Sequence, residues 1–192
     1  MPPSKIRSFI ALYPDARARE HIAEYVSRLR AHETAVRWER EQQIHVTLKF
    51  LGDVTPSVLD GIAASLRERL EASGALECML DTVGAFPSLK RARVVWLGFS
   101  QPVARISELQ RIVADMCEKA GMEKDNKTYT PHFTIGRAKD RNGVKHLENV
   151  VHTCSFHSVP VHFGAVRIME STLTSQGAIH KERIAIQLTP GE

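Results

Sequence analysis

The sequence predicts an α+β protein: two lobes, each a mostly antiparallel sheet with outer helices, facing each other across a central cleft. Three observations lead there. Short apolar runs of strand length alternate with segments whose apolar residues recur at helical spacing. The order of these segments repeats once along the chain. Two stretches, His45-Val46-Thr47-Leu48 and His132-Phe133-Thr134-Ile135, share the pattern His, apolar, Thr, apolar, and lie 87 positions apart.

Arg7 to Tyr13 is an apolar run closed by Pro14 and reads as a buried strand. Pro14-Asp15 opens a helix, since Pro is tolerated in a first turn and Asp suits its positive end. Ala18, Ile22, Val26 and Leu29 give that helix one apolar face. Val36 to Glu39 reads as a short strand anchored by Trp38, and Gln43 to Leu51 as the first motif strand, stopped by Gly52-Asp53. Thr55-Pro56 caps a second helix, with Leu59, Ile62, Ala63, Leu66 and Leu70 inward and Ser73-Gly74 at its end. Alternation from Leu76 to Thr82 reads as a half-buried strand, and Gly84 to Arg91 as a loop with a basic end.

The order then recurs. Arg93 to Phe99 is a strand, and Pro102 opens a helix with Val103, Ile106, Leu109, Val113 and Met116 inside and Gly121 at its end. His132 to Ala138 is the second motif strand. A short helix around Val144 to Val151 follows, then strands over Val161 to Ser171 and Ile184 to Leu188. Arg7 and Arg93 are 86 apart, Pro14 and Pro102 are 88 apart, and Leu76 and Val161 are 85 apart, which tracks the spacing of the motif histidines. All 192 residues are therefore expected to form one domain of two lobes related by an approximate two-fold axis. The motif strands line the cleft, where ligands commonly bind.

Composition narrows the class. Hydrophobic residues make up 43% and charged residues 25%, ordinary for a globular chain. No run approaches the roughly 20 apolar residues of a membrane span, and the N-terminus lacks a signal-peptide pattern. Cys78, Cys117 and Cys154 have no metal-like spacing and read as reduced, mostly buried thiols of a cytoplasmic protein, expected to be a monomer. The net charge of +4 tolerates a polyanion such as RNA without demanding one.

In a strand, His and Thr two residues apart share one face while the apolar residues anchor the other. A third His-x-Thr, at His32-Glu33-Thr34, sits at the end of the first helix and is set aside. His21, His146, His152, His157 and His162 have no such pairing and read as surface or structural; Trp38 and Trp96 read as core. Two imidazoles with pKa values near 6.5 supply a base and an acid at neutral pH, the combination that opens a strained phosphodiester. Thr47 and Thr134 can donate to the non-bridging oxygens. No carboxylate cluster or Cys/His spacing suits a catalytic zinc, so neither metal nor cofactor is expected. Arg137 is an apt phosphate ligand, yet strict alternation points it away from His132 and Thr134 unless a bulge at Gly136 turns it back. Lys49 falls on the face of His45 and Thr47, and Phe50 and Tyr129 flank the motifs as possible base-stacking contacts.

Gln43-Ile44-His45-Val46-Thr47-Leu48-Lys49-Phe50-Leu51-Gly52 and Thr130-Pro131-His132-Phe133-Thr134-Ile135-Gly136-Arg137 resemble the signature strands of the two-histidine phosphoesterase superfamily. The longer context, including Arg7 to Leu12, Phe86-Pro87 ahead of Arg93 to Trp96, and Ser171 to Leu173, resembles its RNA 2′,3′-cyclic phosphodiesterases, also called 2′-5′ RNA ligases. The resemblance implies a bilobal fold and metal-independent hydrolysis of a terminal 2′,3′-cyclic phosphate to a 2′-phosphomonoester. It also implies reversible joining of RNA ends through a 2′-5′ bond. By similarity His45 is the acid protonating the 3′ oxygen, His132 the base activating water, and Thr47, Thr134 and Arg137 the phosphate ligands. Family members often carry Tyr where this chain has His180. The alternatives are a phosphodiesterase acting on 2′-5′ oligonucleotides or another nucleotide-derived cyclic phosphate, and a non-catalytic binder of RNA ends.

Overall fold

A computed structural model describes residues 4–71, 73–100, 104–140, 142–145, 147–175 and 177–188. Pro102, Val103 and His146 lie outside the described residues. The chain runs β1 (Ile6–Leu12), α1 (Ala16–His32), β2 (Val36–Trp38), a 3₁₀ turn (Glu41–Gln43), β3 (Val46–Val54) and α2 (Pro56–Leu70). It continues through β4 (Leu76–Leu80), β5 (Thr82–Phe86), β6 (Arg91–Ala92), β7 (Val94–Gly98), α3 (Ala104–Lys119) and β8 (His132–Ala138). It closes with β9 (Val144–Lys145), α4 (Leu147–Thr153), β10 (Val159–Phe163), β11 (Ala165–Thr174) and β12 (Gly177–Gln187).

The α+β class is as expected, with four helices and antiparallel pairing throughout the described strand pairs. The expected pair of separate sheets is one sheet, in the order β12-β11-β1-β3-β8-β7-β5, with β2 also on β8. Its two four-stranded halves meet at a single register pair, Val46 with Phe133. The motif strands themselves make the seam.

One face of the sheet carries the core. Ile10, Leu12, Val46, Leu48, Phe133 and Ile135 pack there with Ile22, Tyr25 and Leu29 of α1, Leu59, Ile62 and Leu66 of α2, and Ile106 and Val113 of α3. The opposite face carries a small cluster of Phe9, Ala11 and Met169 with Tyr13. Asp15 caps α1, accepting from Ala18 N at 3.1 Å, and its other carboxylate oxygen accepts from His162 N at 2.8 Å, tying the helix start to β10. Thr55 precedes α2, but its hydroxyl meets that of Ser57 at 3.0 Å instead of capping the backbone.

Several boundaries differ from the sequence reading. The run from Leu76 breaks at Asp81, whose carboxylate holds Ser100; β4 and β5 then belong to different sheets, and β5 extends into the expected loop. The run from Val161 breaks at Gly164, so β10 pairs β4 while β11 joins the main sheet. The expected strand Ile184 to Leu188 is, as far as Gln187, the end of a longer strand, β12, whose outer part is too polar to show apolar alternation. The short helix begins at Leu147, because Val144 and Lys145 pair with β6.

Candidate active site

Cross-strand register decides which side chains share the open face, because directly paired residues point the same way. Thr47 pairs with Ala11, and Phe50 with Phe9, both members of the open-face cluster. His132 pairs with Gly98 and Thr134 with Trp96. Extending the Val46–Phe133 pair by one residue either way sets His45 opposite Thr134 and Thr47 opposite His132. Direct neighbours in such a register lie roughly 5 Å apart. The two histidines thus occupy one diagonal of a small rectangle and the two threonines the other.

The imidazoles are held alike. His45 Nδ1 lies 2.7 Å from Gln43 O, and His132 Nδ1 lies 2.7 Å from Thr130 O. A carbonyl only accepts, so each Nδ1 carries the hydrogen and each neutral ring keeps its lone pair on Nε2. His45 stacks on Phe9 at 4.8 Å and is flanked by Tyr13 and His180, each at 5.3 Å. Phe86 meets His132 edge-on at 5.2 Å, and Trp96 lies 6.2 Å away.

Burial in this apolar setting, with His180 beside it, pushes His45 down to about 3; Arg137 and His132 act in the same direction against the Gln43 carbonyl. Burial also lowers His132, again with help from Arg137 and against the Thr130 carbonyl. Both rings are therefore neutral at pH 7 in the free protein. Arg137 reaches the same face through an irregularity in the pairing of β8 with β7.

A bulge brings it there. Between Val95 and Trp96 the pairing of β7 with β8 skips Ile135, so Gly136 turns to the core face and Arg137 back to the face of Thr134. A Cβ at Gly136 would lie 2.6 Å from Val36 Cγ1 and 2.7 Å from Trp38 Cε3, so only glycine fits the turn. Arg137 Nε pairs with Glu39 Oε1 at 3.2 Å.

β3 bulges at the matching place. Its pairing with β1 skips Leu48, which sends Lys49 to the core face and Phe50 to the open one. The expectation that Lys49 shares the face of His45 and Thr47 is thus corrected, because the extra residue reverses the alternation. Lys49 is 3% exposed, donates from Nζ to Glu123 O at 2.6 Å and pairs with Asp125 at 2.8 Å, pinning the segment that leads to His132. Phe50 is 70% exposed, its ring 6.3 Å from Phe9. Tyr129 is half-buried against the core and its hydroxyl donates to Thr47 O at 3.2 Å, so it braces the backbone between the two motifs.

Sequence reasoning named His180, Gln43 and Trp96 without placing any of them beside the motif histidines. His180 packs at 4.8 Å on Phe9, and its buried Nδ1 has no hydrogen-bond partner. Gln43, two residues before His45, donates from Nε2 to Ala178 O and ties the β11–β12 hairpin beside that ring. Trp96, expected in the core, lies on the open face instead. Its cue was the pair of glycines, Gly84 and Gly98, on which its indole rests. The set-aside His32 ends α1, and His21 meets His157 O at 2.8 Å in a structural contact. Among the described residues no three His, Cys, Asp or Glu side chains cluster as a metal site, and no helix is long and apolar enough to cross a membrane.

Comparison with known proteins places this geometry in context. Residues 14–172 match the family model described as the 2′-5′ RNA ligase superfamily. An RNA 2′,3′-cyclic phosphodiesterase of Aquifex aeolicus is 30% identical over 178 residues, covering 91% of this chain and 93% of its own. One from Methanothermobacter thermautotrophicus is 30% identical over 185 residues, covering 96% and 100%. Among solved structures, E. coli LigT complexed with 3′-AMP superposes with a TM-score of 0.74 at 23% identity, covering 96% of this chain and 99% of that one. TT0787 of Thermus thermophilus reaches 0.78 at 18% identity, covering 97% and 100%. At these identities the two structures speak for the fold alone.

Proposed function

Since the chain belongs to the 2′-5′ RNA ligase superfamily, we propose that it is an RNA 2′,3′-cyclic phosphodiesterase that opens a terminal cyclic phosphate to a 2′-phosphomonoester. The observation that carries this reading is the matched pair of imidazoles. Each is fixed through Nδ1 to a carbonyl two residues upstream, leaving Nε2 free beside the threonine of the other strand.

The phosphate sits between the two Nε2 atoms. His132 takes a proton from water, the water oxygen bonds to phosphorus, the bond from phosphorus to O3′ breaks, and His45 gives its proton to O3′. Thr47 and Thr134 donate to the non-bridging oxygens, and Arg137 balances their charge. Preformed donors at the position where charge develops are worth about 10²–10³ in rate each. His45 is the harder ring to protonate in the free protein, so its role as acid requires the bound anion to raise it more than His132. The same machinery joins RNA ends when a 5′-hydroxyl replaces the water. We read the whole chain as one domain of two lobes acting in a reducing compartment; Cys78, Cys117 and Cys154 are all free thiols.

The test is the isomer released from adenosine 2′,3′-cyclic phosphate in excess EDTA. Adenosine 2′-phosphate is the expected product. Adenosine 3′-phosphate would reverse the leaving oxygen, and loss of turnover in EDTA would remove the metal-independent mechanism. Binding without product would leave an RNA-end binder. A 2′-5′ oligonucleotide turned over much faster than the cyclic phosphate would make that the substrate.

A further inference from the structure

Among the described residues Lys49 is the one charged side chain that is buried. The bulge in β3 turns it to the core side of the sheet, and its Nζ crosses to the segment between α3 and β8. There it donates to Glu123 O at 2.6 Å and pairs with Asp125 Oδ2 at 2.8 Å, on a carboxylate that stays 54% exposed. Four residues further on, the Tyr129 hydroxyl donates to Thr47 O at 3.2 Å. The next residue, Thr130, supplies the carbonyl that holds His132 Nδ1. Two side-chain links thus fasten the strand that follows His45 to the segment that delivers His132.

Stability does not explain a buried lysine at this place. An apolar side chain of similar volume often replaces a buried ion without loss, or with a gain. What an apolar side chain lacks is direction. The ammonium fixes two points, Glu123 O and the Asp125 carboxylate, relative to β3. Backbone pairing cannot do this, since β3 and β8 share one register pair. We propose that Lys49 and Asp125, with Tyr129, form a tether on the core side of the sheet that sets the gap between the His45 and His132 rings, so that both reach one phosphate. Lys49 is a positioning residue: it acts through the segment that carries His132 and faces away from the phosphate.

The inference rests on the proposed function, because the gap matters to turnover only if both rings serve one phosphate. A misplacement of about 1 Å at the reacting groups costs about a hundredfold in rate.

The experiment measures kcat on adenosine 2′,3′-cyclic phosphate, the chemical-denaturation midpoint and amide exchange on the full chain. Lys49→Met is expected to lower kcat by about ten- to a hundredfold. Its midpoint should stay level or rise, because the solvated Asp125 is not left behind as a buried charge. Amide exchange at Val46 and Phe133 should quicken relative to Ile10 and Leu97. Lys49→Met combined with Asp125→Ala should fall no further than Lys49→Met alone, since both changes break the same link. A kcat that drops only in step with the midpoint, and returns where the variant is fully folded, overturns the inference, because Lys49 then serves folding alone. An undiminished kcat in Lys49→Met overturns it too and leaves the proposed function standing. Should Lys49→Met not fold, Asp125→Ala carries the test: a lower kcat with faster exchange at Val46 and Phe133 supports the tether, and any other result overturns it. Wild-type protein inert on the cyclic phosphate sinks the proposed function and this inference with it.

Discussion

His45 and His132 carry the sharpest expectations. A single acid or base contributes about 10²–10⁴ in rate, so His45→Ala and His132→Ala should each lose that much kcat on a 2′,3′-cyclic nucleotide, measured by product release. The pH dependence has a definite sign. Both imidazoles titrate below 6.5 in the free protein, so the imidazolium needed as acid is lost as pH rises through those lowered values. The descending limb of kcat/KM should therefore lie below pH 6.5. A bound phosphate anion raises the acid, so the descending limb of kcat should lie higher. Coincident limbs would mean that the anion does not reach the acid. The variant that loses the descending limb names the acid, and a limb lost in His132→Ala in place of His45→Ala reverses the assignment. At this scale the sequence revealed the paired histidines and threonines, because strand alternation alone puts them on one face. It misdirected Lys49, since a bulge reverses alternation without marking the composition.

The bulges set the chemistry of the two motif strands. Each skips its fourth motif residue, Leu48 in β3 and Ile135 in β8, so the fifth turns to the core and the sixth to the open face. The fifth residues are Lys49 and Gly136, and the sixth are Phe50 and Arg137. One strand thus ends in an aromatic ring and the other in a cation, which gives the site two unlike ends. Gly136→Ala should cost about 1–3 kcal/mol by overpacking against Val36 and Trp38, read as a lower chemical-denaturation midpoint. Activity should fall further than folding, because β8 must shift Arg137 to relieve the clash. Gly136 was legible as a candidate bulge; Leu48 was not, since an aliphatic residue in an apolar run looks like any other strand position. The outer part of the β11–β12 hairpin escaped notice for the opposite reason: Ser171, Thr172, Lys181 and Glu182 are polar on both faces.

Across the molecule, helical periodicity and the repeat of element order made the α+β class readable before any coordinates. Pairing was harder to see. β2 lies early in the chain but joins β8 in the second half of the sheet, and β11 and β12 complete the first half from the far end of the chain. Such long-range choices come from burying complementary faces and leave no local signature.

Where β3 meets β8, one residue pair stands in for a ladder. Backbone hydrogen bonds do little there to set the gap between the catalytic rings, so an anion gripped from both banks becomes the cross-link that the strands lack. Saturation with adenosine 2′-phosphate should slow amide exchange at Val46 and Phe133 more than at Ile10 or Leu97. Total stability should rise by about 2.7 kcal/mol at a hundredfold excess over Kd. Product would then hold the joint closed until it leaves.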